Sequence, residues 1–405
     1  MKKGILTFAL MSLVTVPLVA SCGPADNSSN IDPTTNKPSE TETSAPATSE
    51  QPKDEPFKVV DVKGREVSFE KHAETALCLG AGALRLYSYV GDMNKLAAVE
   101  EYDKPADGKL LRPYQFVFKD VLSKLPTCGL GGPGKPNYDL ETLITIKPDV
   151  IFTCDKAEAA EIDSISTKTN IPVISIDYGK TNVFSLETTG NPFKTSLKSI
   201  ATIMGTEDRY NELMTYTDAT INDLDTRTKD IADADRQPVY FGGVGKKMAK
   251  GLHCSSQNHP ILNSVHAKNI LDGLTVSIDK NMQVDKEFLT SINPTYVFVD
   301  AGGYSDVMTQ LSTEGQKETF TNWTAIDNGN THVVLPYGDY NTQVEFGLIN
   351  AMFIGKTIYS EKFNDVNINA AAGEVFAKFY GADMFAEYMS ATKLNTTVFT
   401  TISRP

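Results

Sequence analysis

Arginine and tyrosine recur in the stretches that follow apolar runs: Arg85, Tyr102, Arg112, Tyr114, Tyr304, Tyr337 and Tyr340. A guanidinium fork matches a carboxylate or an oxyanion, and a tyrosine gives an apolar face with a polar tip. Further polar groups fall in the same kind of position. They are Gly82, Glu101, Asp155, Lys156, Lys246, Lys247, the His253–Gln257 stretch with Ser255, and Asn341. Together these residue types suit capture of an anionic, partly aromatic ligand. No catalytic constellation accompanies them, because neither a Ser/His/Asp order nor a nucleophile elbow is visible.

Metal and phosphate chemistry find weaker support. His253, His259 and His266 are separated by five and six residues, which does not fit an i, i+4 helical pair. His259 also precedes Pro260, so this stretch is partly loop, and no metal site or cofactor is expected. Cys254 in the same loop is a weak haem or metal signal. Gly129-Leu-Gly-Gly-Pro-Gly134 is dense in glycine, but Lys135-Pro136 follows where a phosphate cradle needs Lys-Ser/Thr. It reads as a turn-rich edge. Cys78, Cys128 and Cys154 sit at or beside apolar positions and read as buried thiols, and with Cys254 they leave three pairings open.

Short apolar runs alternate with helix-like spacing from Phe57 onward. Strands are expected at Thr75–Leu79, Leu96–Val99, Val150–Thr153, Val173–Ile176, Pro238–Phe241, Tyr296–Val299 and His332–Leu335. Ala83–Val90 and Leu140–Ile146 read as helices. Such alternation indicates an α/β fold with parallel sheets. An internal echo divides it: Leu, Ile, Pro and Phe fall 2, 5, 7 and 11 residues after both Glu141 and Glu287. Each copy reads as a short helix, a proline stop and a buried strand. Between the copies, Asn191-Pro192 starts a long bridging helix running to about Ala234, with a break expected near Met204–Thr206.

Composition narrows the class. With 405 residues, 40% hydrophobic and 22% charged, the chain suits a packed body of two or three lobes. A net charge of −13 disfavours nucleic acid as a partner. Met1-Lys2-Lys3 and the apolar Ile5–Ala20 read as a secretory signal. The following Val19-Ala20-Ser21-Cys22 resembles a bacterial lipobox, which implies lipidation of Cys22 and membrane attachment by that anchor alone. Gly23–Pro56 is rich in Ser, Thr, Pro and Asn and reads as a flexible tether spanning roughly 30 Å. The expected divisions are a signal at 1–21, anchor and tether at 22–56, a first lobe at 57–190, a bridging helix at 191–235 and a second lobe at 236–405.

Several segments, taken in order, resemble class III substrate-binding proteins of ABC transporters, the siderophore, haem and cobalamin type. Asp61-Val-Lys-Gly-Arg-Glu-Val67 is similar to the family's opening "D-x-x-G-R-x-V". Leu140-Glu141 with Lys147-Pro148-Asp149-Val150-Ile151 is similar to its "L-E … K-P-D" segment. Gln237-Pro-Val-Tyr-Phe-Gly-Gly243 resembles the start of its second lobe. Asn350-Ala-Met-Phe-Ile-Gly-Lys356 resembles the "N-A-x-x-[IL]-G-K" helix of its iron-complex branch. Arg85 departs from the pattern, standing where many relatives carry Glu or a small polar residue.

The resemblance implies two Rossmann-like lobes joined by one long α-helix, with ligand held between them. It implies a monomeric extracytoplasmic receptor, not an enzyme, that binds an iron complex and delivers it to an ABC permease and its ATPase. It also implies that Glu141 and Glu287 are the pegs, one per lobe, that dock on the permease. Cobalamin, haem and molybdate or tungstate are alternative ligands of the same class. An extracellular α/β hydrolase and a surface adhesin are the readings from other classes.

Overall fold

The computed structural model describes residues 55–106, 112–133, 138–154, 158–179, 184, 190–244, 251–276, 278 and 282–405. The described chain opens with an antiparallel hairpin, β1 (Phe57–Val60) and β2 (Glu66–Phe69). Asp61 holds its turn by accepting from the backbone N–H groups of Lys63 and Arg65 at 2.9 and 3.0 Å. Arg65 in turn donates to the Val173 carbonyl at 2.7 Å, which ties the hairpin to the first sheet.

That sheet is parallel, in the order β3 (Ala76–Leu79), β4 (Val150–Thr153), β5 (Val173–Ser175). Every residue of the three strands is buried, as expected when helices cover both faces of a parallel sheet. Its helices are α1 (Ala83–Val90), α2 (Pro113–Val117), α3 (Lys119–Leu122), α4 (Leu140–Ile146) and α5 (Ala159–Thr169). Leu96–Val99 is not a strand. Leu96 bridges Ala76 while Val99 bridges Thr127, so its two ends pair with different neighbours and no ladder forms.

The connecting segment is two helices rather than one, α6 (Pro192–Met204) and α7 (Glu207–Thr228). Asn191 caps α6 through the Lys194 N–H at 3.3 Å, with Pro192 in the first turn. Gly205 ends it at φ 68°, ψ 40°, a left-handed conformation that glycine adopts without Cβ strain. Phe193, Leu197, Ile200 and Ile203 on α6 and Leu213, Ile221 and Leu224 on α7 are buried in the large core that both sheets share.

The second sheet is also parallel, in the order β7 (Lys268–Asn269), β6 (Pro238–Gly242), β8 (Tyr296–Asp300), β9 (Thr331–Val334). Its helices are α8 (Pro260–Ser264), α9 (Lys286–Ser291), α10 (Tyr304–Ser312), α11 (Thr324–Asp327), α12 (Val344–Ile358), α13 (Ile368–Tyr380) and α14 (Phe385–Thr392). No helix among the described residues is long and apolar enough to cross a membrane.

The echo is structural. Helix α4 leads into β4 and α9 into β8, and both strands are internal to their sheets. Asp139 caps α4 through the Thr142 N–H at 2.9 Å, and Asp285 caps α9 through the Phe288 N–H at 3.0 Å. Leu143 and Leu289 are both buried beneath their helices.

Candidate functional site

The candidate site begins at the carboxyl end of β3, where ligands gather in open α/β sheets. The turn into α1 carries Gly82 at φ 85°. A Cβ there would lie 2.7 Å from the Tyr178 hydroxyl and 2.9 Å from the Asn341 Cβ. The glycine therefore lets two side chains close over the backbone. Tyr178 donates to the Gly82 carbonyl at 2.8 Å, and Asn341 donates to the Ala81 carbonyl at 3.2 Å.

Arg85 lies on α1 with no exposed surface. An isolated cation at such depth would be costly to desolvate. Its partners come from the loop between β9 and α12. Arg85 Nη1 donates to the carbonyls of Tyr340 (2.9 Å) and Thr342 (3.2 Å), and Nη2 donates to that of Asp339 (2.8 Å). Nearby Glu345 is also fully buried and accepts from the hydroxyls of Tyr89 at 2.5 Å and Tyr380 at 2.7 Å. One arginine of the first half thus grips the backbone of the second.

Arg112, at the start of α2, lies against a tilted pair of aromatic rings, 4.8 Å from the Tyr102 centroid and 4.5 Å from that of Tyr340, the two centroids being 4.6 Å apart. Its Nε is 2.8 Å from the Asp339 carboxylate in an ion pair. Tyr340 donates its hydroxyl hydrogen to Glu100 Oε2 at 3.3 Å and accepts from the Gly132 N–H at 3.1 Å. Glu100 Oε2 also accepts from the Gly80 N–H at 3.1 Å, while its buried Oε1 has no partner. Burial, then the charge of Asp103, pushes the Glu100 carboxyl up to about 7. Burial pushes Asp103 up to about 6 against a 2.5 Å hydrogen bond from Tyr114.

Five of the expected ligand residues, Arg85, Tyr102, Arg112, Tyr114 and Tyr340, therefore gather in one cluster at the junction of the two halves. Tyr337 belongs to the same loop, with its ring 6.2 Å from Phe184 and 6.0 Å from His259. Ser255, His253 and Tyr304 lie on the second half alone. Ser255 is buried and donates to the Phe241 carbonyl at 2.6 Å, His253 contacts Gln310, and Tyr304 opens α10. Among the described residues, no hydrogen bond or ring contact joins these three to Arg112. Lys246, with Lys247, Asp155, Lys156 and Cys22, lies outside the described residues.

Glu100, Asp103, Asp339 and Glu345 escaped the sequence reading. The acidic run Glu100–Asp103 directly after an apolar segment was the available signal. The glycine-dense stretch also has a specific role. A Cβ on Gly131 would lie 2.7 Å from the Glu100 side chain, so a small residue is needed where this backbone meets the carboxylate.

The histidines are dispersed. His259 is buried and stacked 4.1 Å over Phe241, and burial lowers it to about 3. His266 pairs with Asp225 at 2.9 Å, and His72 lies 3.0 Å from the Thr202 carbonyl. Among the described residues no group of three or more His, Cys, Asp or Glu could hold a metal ion. Among the described residues Cys78, Cys128, Cys154 and Cys254 form no disulfide. Trp323 is buried away from the cluster, donating to the Leu289 carbonyl at 3.0 Å. Glu141 and Glu287 stand exposed in the first turns of α4 and α9.

Known proteins share this architecture. The family model described as periplasmic binding protein matches residues 78–333. The molybdate-binding protein MolA of Haemophilus influenzae is 24% identical over 270 residues, 61% of this chain and 72% of its own. The structure of MolA bound to molybdate has a TM-score of 0.61 at 17% identity, covering 80% of this chain and 98% of that one. The TroA-like periplasmic binding protein FepB of Veillonella parvula follows at 0.57 and 20%, covering 80% and 96%. A nickel–histidine complex of Helicobacter pylori CeuE gives 0.54 and 14%, covering 83% and 99%. These neighbours have the class III fold. The chain belongs to the periplasmic binding protein family, the solute receptors, not enzymes, of ABC importers.

Proposed function

We propose that this chain is the extracytoplasmic receptor of an ABC importer for a small metal oxyanion, molybdate or tungstate, bound at Arg112. The carrying observation is the state of that side chain. It is a buried guanidinium packed against one side of a tilted tyrosine pair, and among the described residues its ion pair is with a half-exposed carboxylate at the edge of the cluster. A guanidinium fork and tyrosine hydroxyls suit oxyanion oxygens. The relative MolA, which binds molybdate, supports the same ligand class.

The iron complex suggested by the order of the motifs is the second reading. Tyr337, part-exposed with the buried rings of Phe184 and His259 beside it, favours it by offering the faces of its ring to a larger ligand. Haem and cobalamin would use the same faces. In either case Glu141 and Glu287 dock the receptor on its permease, Cys22 carries the lipid anchor, and the receptor acts as a monomer with lobes at 57–190 and 236–405 around the connector at 191–235. Both glutamates are exposed in short helices with matching aspartate caps, which supports equivalent roles.

The test is native mass spectrometry and calorimetric titration of the purified full chain with molybdate, tungstate, a ferric siderophore, haem and cobalamin. One-to-one binding of an oxyanion at micromolar or tighter Kd, weakened about 10- to 100-fold in Arg112→Ala, is the expected result. Saturation by a ferric complex with no oxyanion binding overturns the oxyanion assignment in favour of the second reading.

A further inference from the structure

Arg112 and Asp339 are held very differently. The arginine side chain is 9% exposed and the aspartate side chain 51% exposed. The tilted Tyr102–Tyr340 ring pair backs the guanidinium on one side, and Nη1 donates to Gln115 Oε1 at 3.5 Å. The backbone at Asp339 is also fixed, because Arg85 grips the carbonyls of residues 339, 340 and 342. Tyr340 and Asn341 shape this loop at φ 49° and 79°. The Asp339 side chain, half exposed, borders water. Its hold on Arg112 is incomplete as well. Although 2.8 Å separates Nε from the carboxylate, the buried Nε makes no aligned hydrogen bond. A buried cation whose Nε lacks an aligned acceptor is poised to exchange partners at that atom.

We propose that Asp339 is a specificity-determining residue of the cleft, a resident counter-ion that the incoming anion must displace from Arg112. The inference rests on the oxyanion reading above. A tethered carboxylate competes at high effective concentration. A monoanion brings the same charge as Asp339 and so gains no Coulombic advantage by replacing it. A dianion doubles the attraction to Arg112, with Arg85 adding to it from behind the loop. Glu100 and Asp103 face the same cluster and oppose any anion. The partly protonated state of Glu100 near neutral pH lessens that opposition. Asp339 thereby filters ligands by charge rather than by shape.

Tungstate and perrhenate separate charge from shape, being tetrahedral oxyanions of similar size that carry two charges and one. The full chain and its Asp339→Asn variant are titrated with both at fixed ionic strength, with Asp339→Ser as a second variant and thermal melts as the folding control. Wild type is expected to prefer tungstate by about 100-fold or more, and removing the resident charge is expected to tighten perrhenate by about tenfold and narrow the ratio. A purely structural aspartate gives the opposite sign, with weaker binding of both anions in both variants. That result, or an unchanged ratio, overturns the inference while leaving the oxyanion reading standing. If neither wild type nor variants bind either anion, the oxyanion reading itself fails and the inference falls with it.

Discussion

The hydroxyl of Tyr340 reaches Glu100 Oε2 at 3.3 Å, joining two residues that lie 240 positions apart in the chain. This bond crosses from the loop after β9 to the end of the segment beside β3. It places a titrating carboxyl at the point where the two halves of the receptor meet.

Stability should therefore depend on pH through Glu100 and Asp103. Their folded values, about 7 and about 6, lie above the ordinary 4.5 and 3.8. The folded state binds protons more tightly than the unfolded one, so stability falls as pH rises from about 4 to about 7 and then levels off. Replacing Glu100 by Gln removes about half of this slope and leaves the part carried by Asp103. Denaturant titrations at about pH 5 and 8 should show the variant gaining roughly 1–3 kcal/mol relative to wild type at the higher pH only. Equal gain at both would contradict the assigned titration.

Arg85 is the strut of the junction. Arg85→Ala removes three hydrogen bonds to carbonyls and leaves Glu345 buried without its neighbouring cation. A loss of about 3–5 kcal/mol in unfolding free energy is expected. Arg85→Lys should recover only part of it, because an ammonium cannot span three carbonyls as a planar fork does.

Arg112→Ala should weaken oxyanion binding about 10- to 100-fold, the worth of one charge-assisted contact. Its melting temperature should change less than that of Arg85→Ala, since Arg112 grips side chains at the edge of the junction. Calorimetry and melts on the same two variants check both halves of this statement.

Charge removal at Glu141 and Glu287 together should abolish uptake in cells while leaving ligand affinity unchanged. Both side chains are exposed, and rim charges act mainly on encounter. Uptake equal to wild type in the double Gln variant would remove the docking assignment.

Much of the architecture was legible because local rules carry it. Val150–Thr153 is a continuous apolar run bounded by a proline turn, and it forms the middle strand of its sheet. Asp139 and Asp285 cap helices that the Glu141/Glu287 echo had already paired. The helix break came where Gly205 stands. The junction was only half legible. Arg85, Arg112 and Tyr340 were recognisable as residue types that bind anions, but nothing local shows that Arg85 spends its Nη groups on carbonyls more than 250 positions away. Nor could spacing reveal Asp339 as the partner of Arg112, because their meeting depends on how the β9–α12 loop crosses to the other half. Leu96–Val99 misled for the same reason. Its apolar composition fits a strand, but its neighbours on either side differ.

The grip of Arg85 on three main-chain carbonyls has an evolutionary consequence. Backbone oxygens are present whatever side chains the loop carries. Substitutions at 339 can accumulate without dissolving the attachment between the halves. Descendants of such a receptor can change cargo by drift in a few loop positions while the mechanical joint stays inherited.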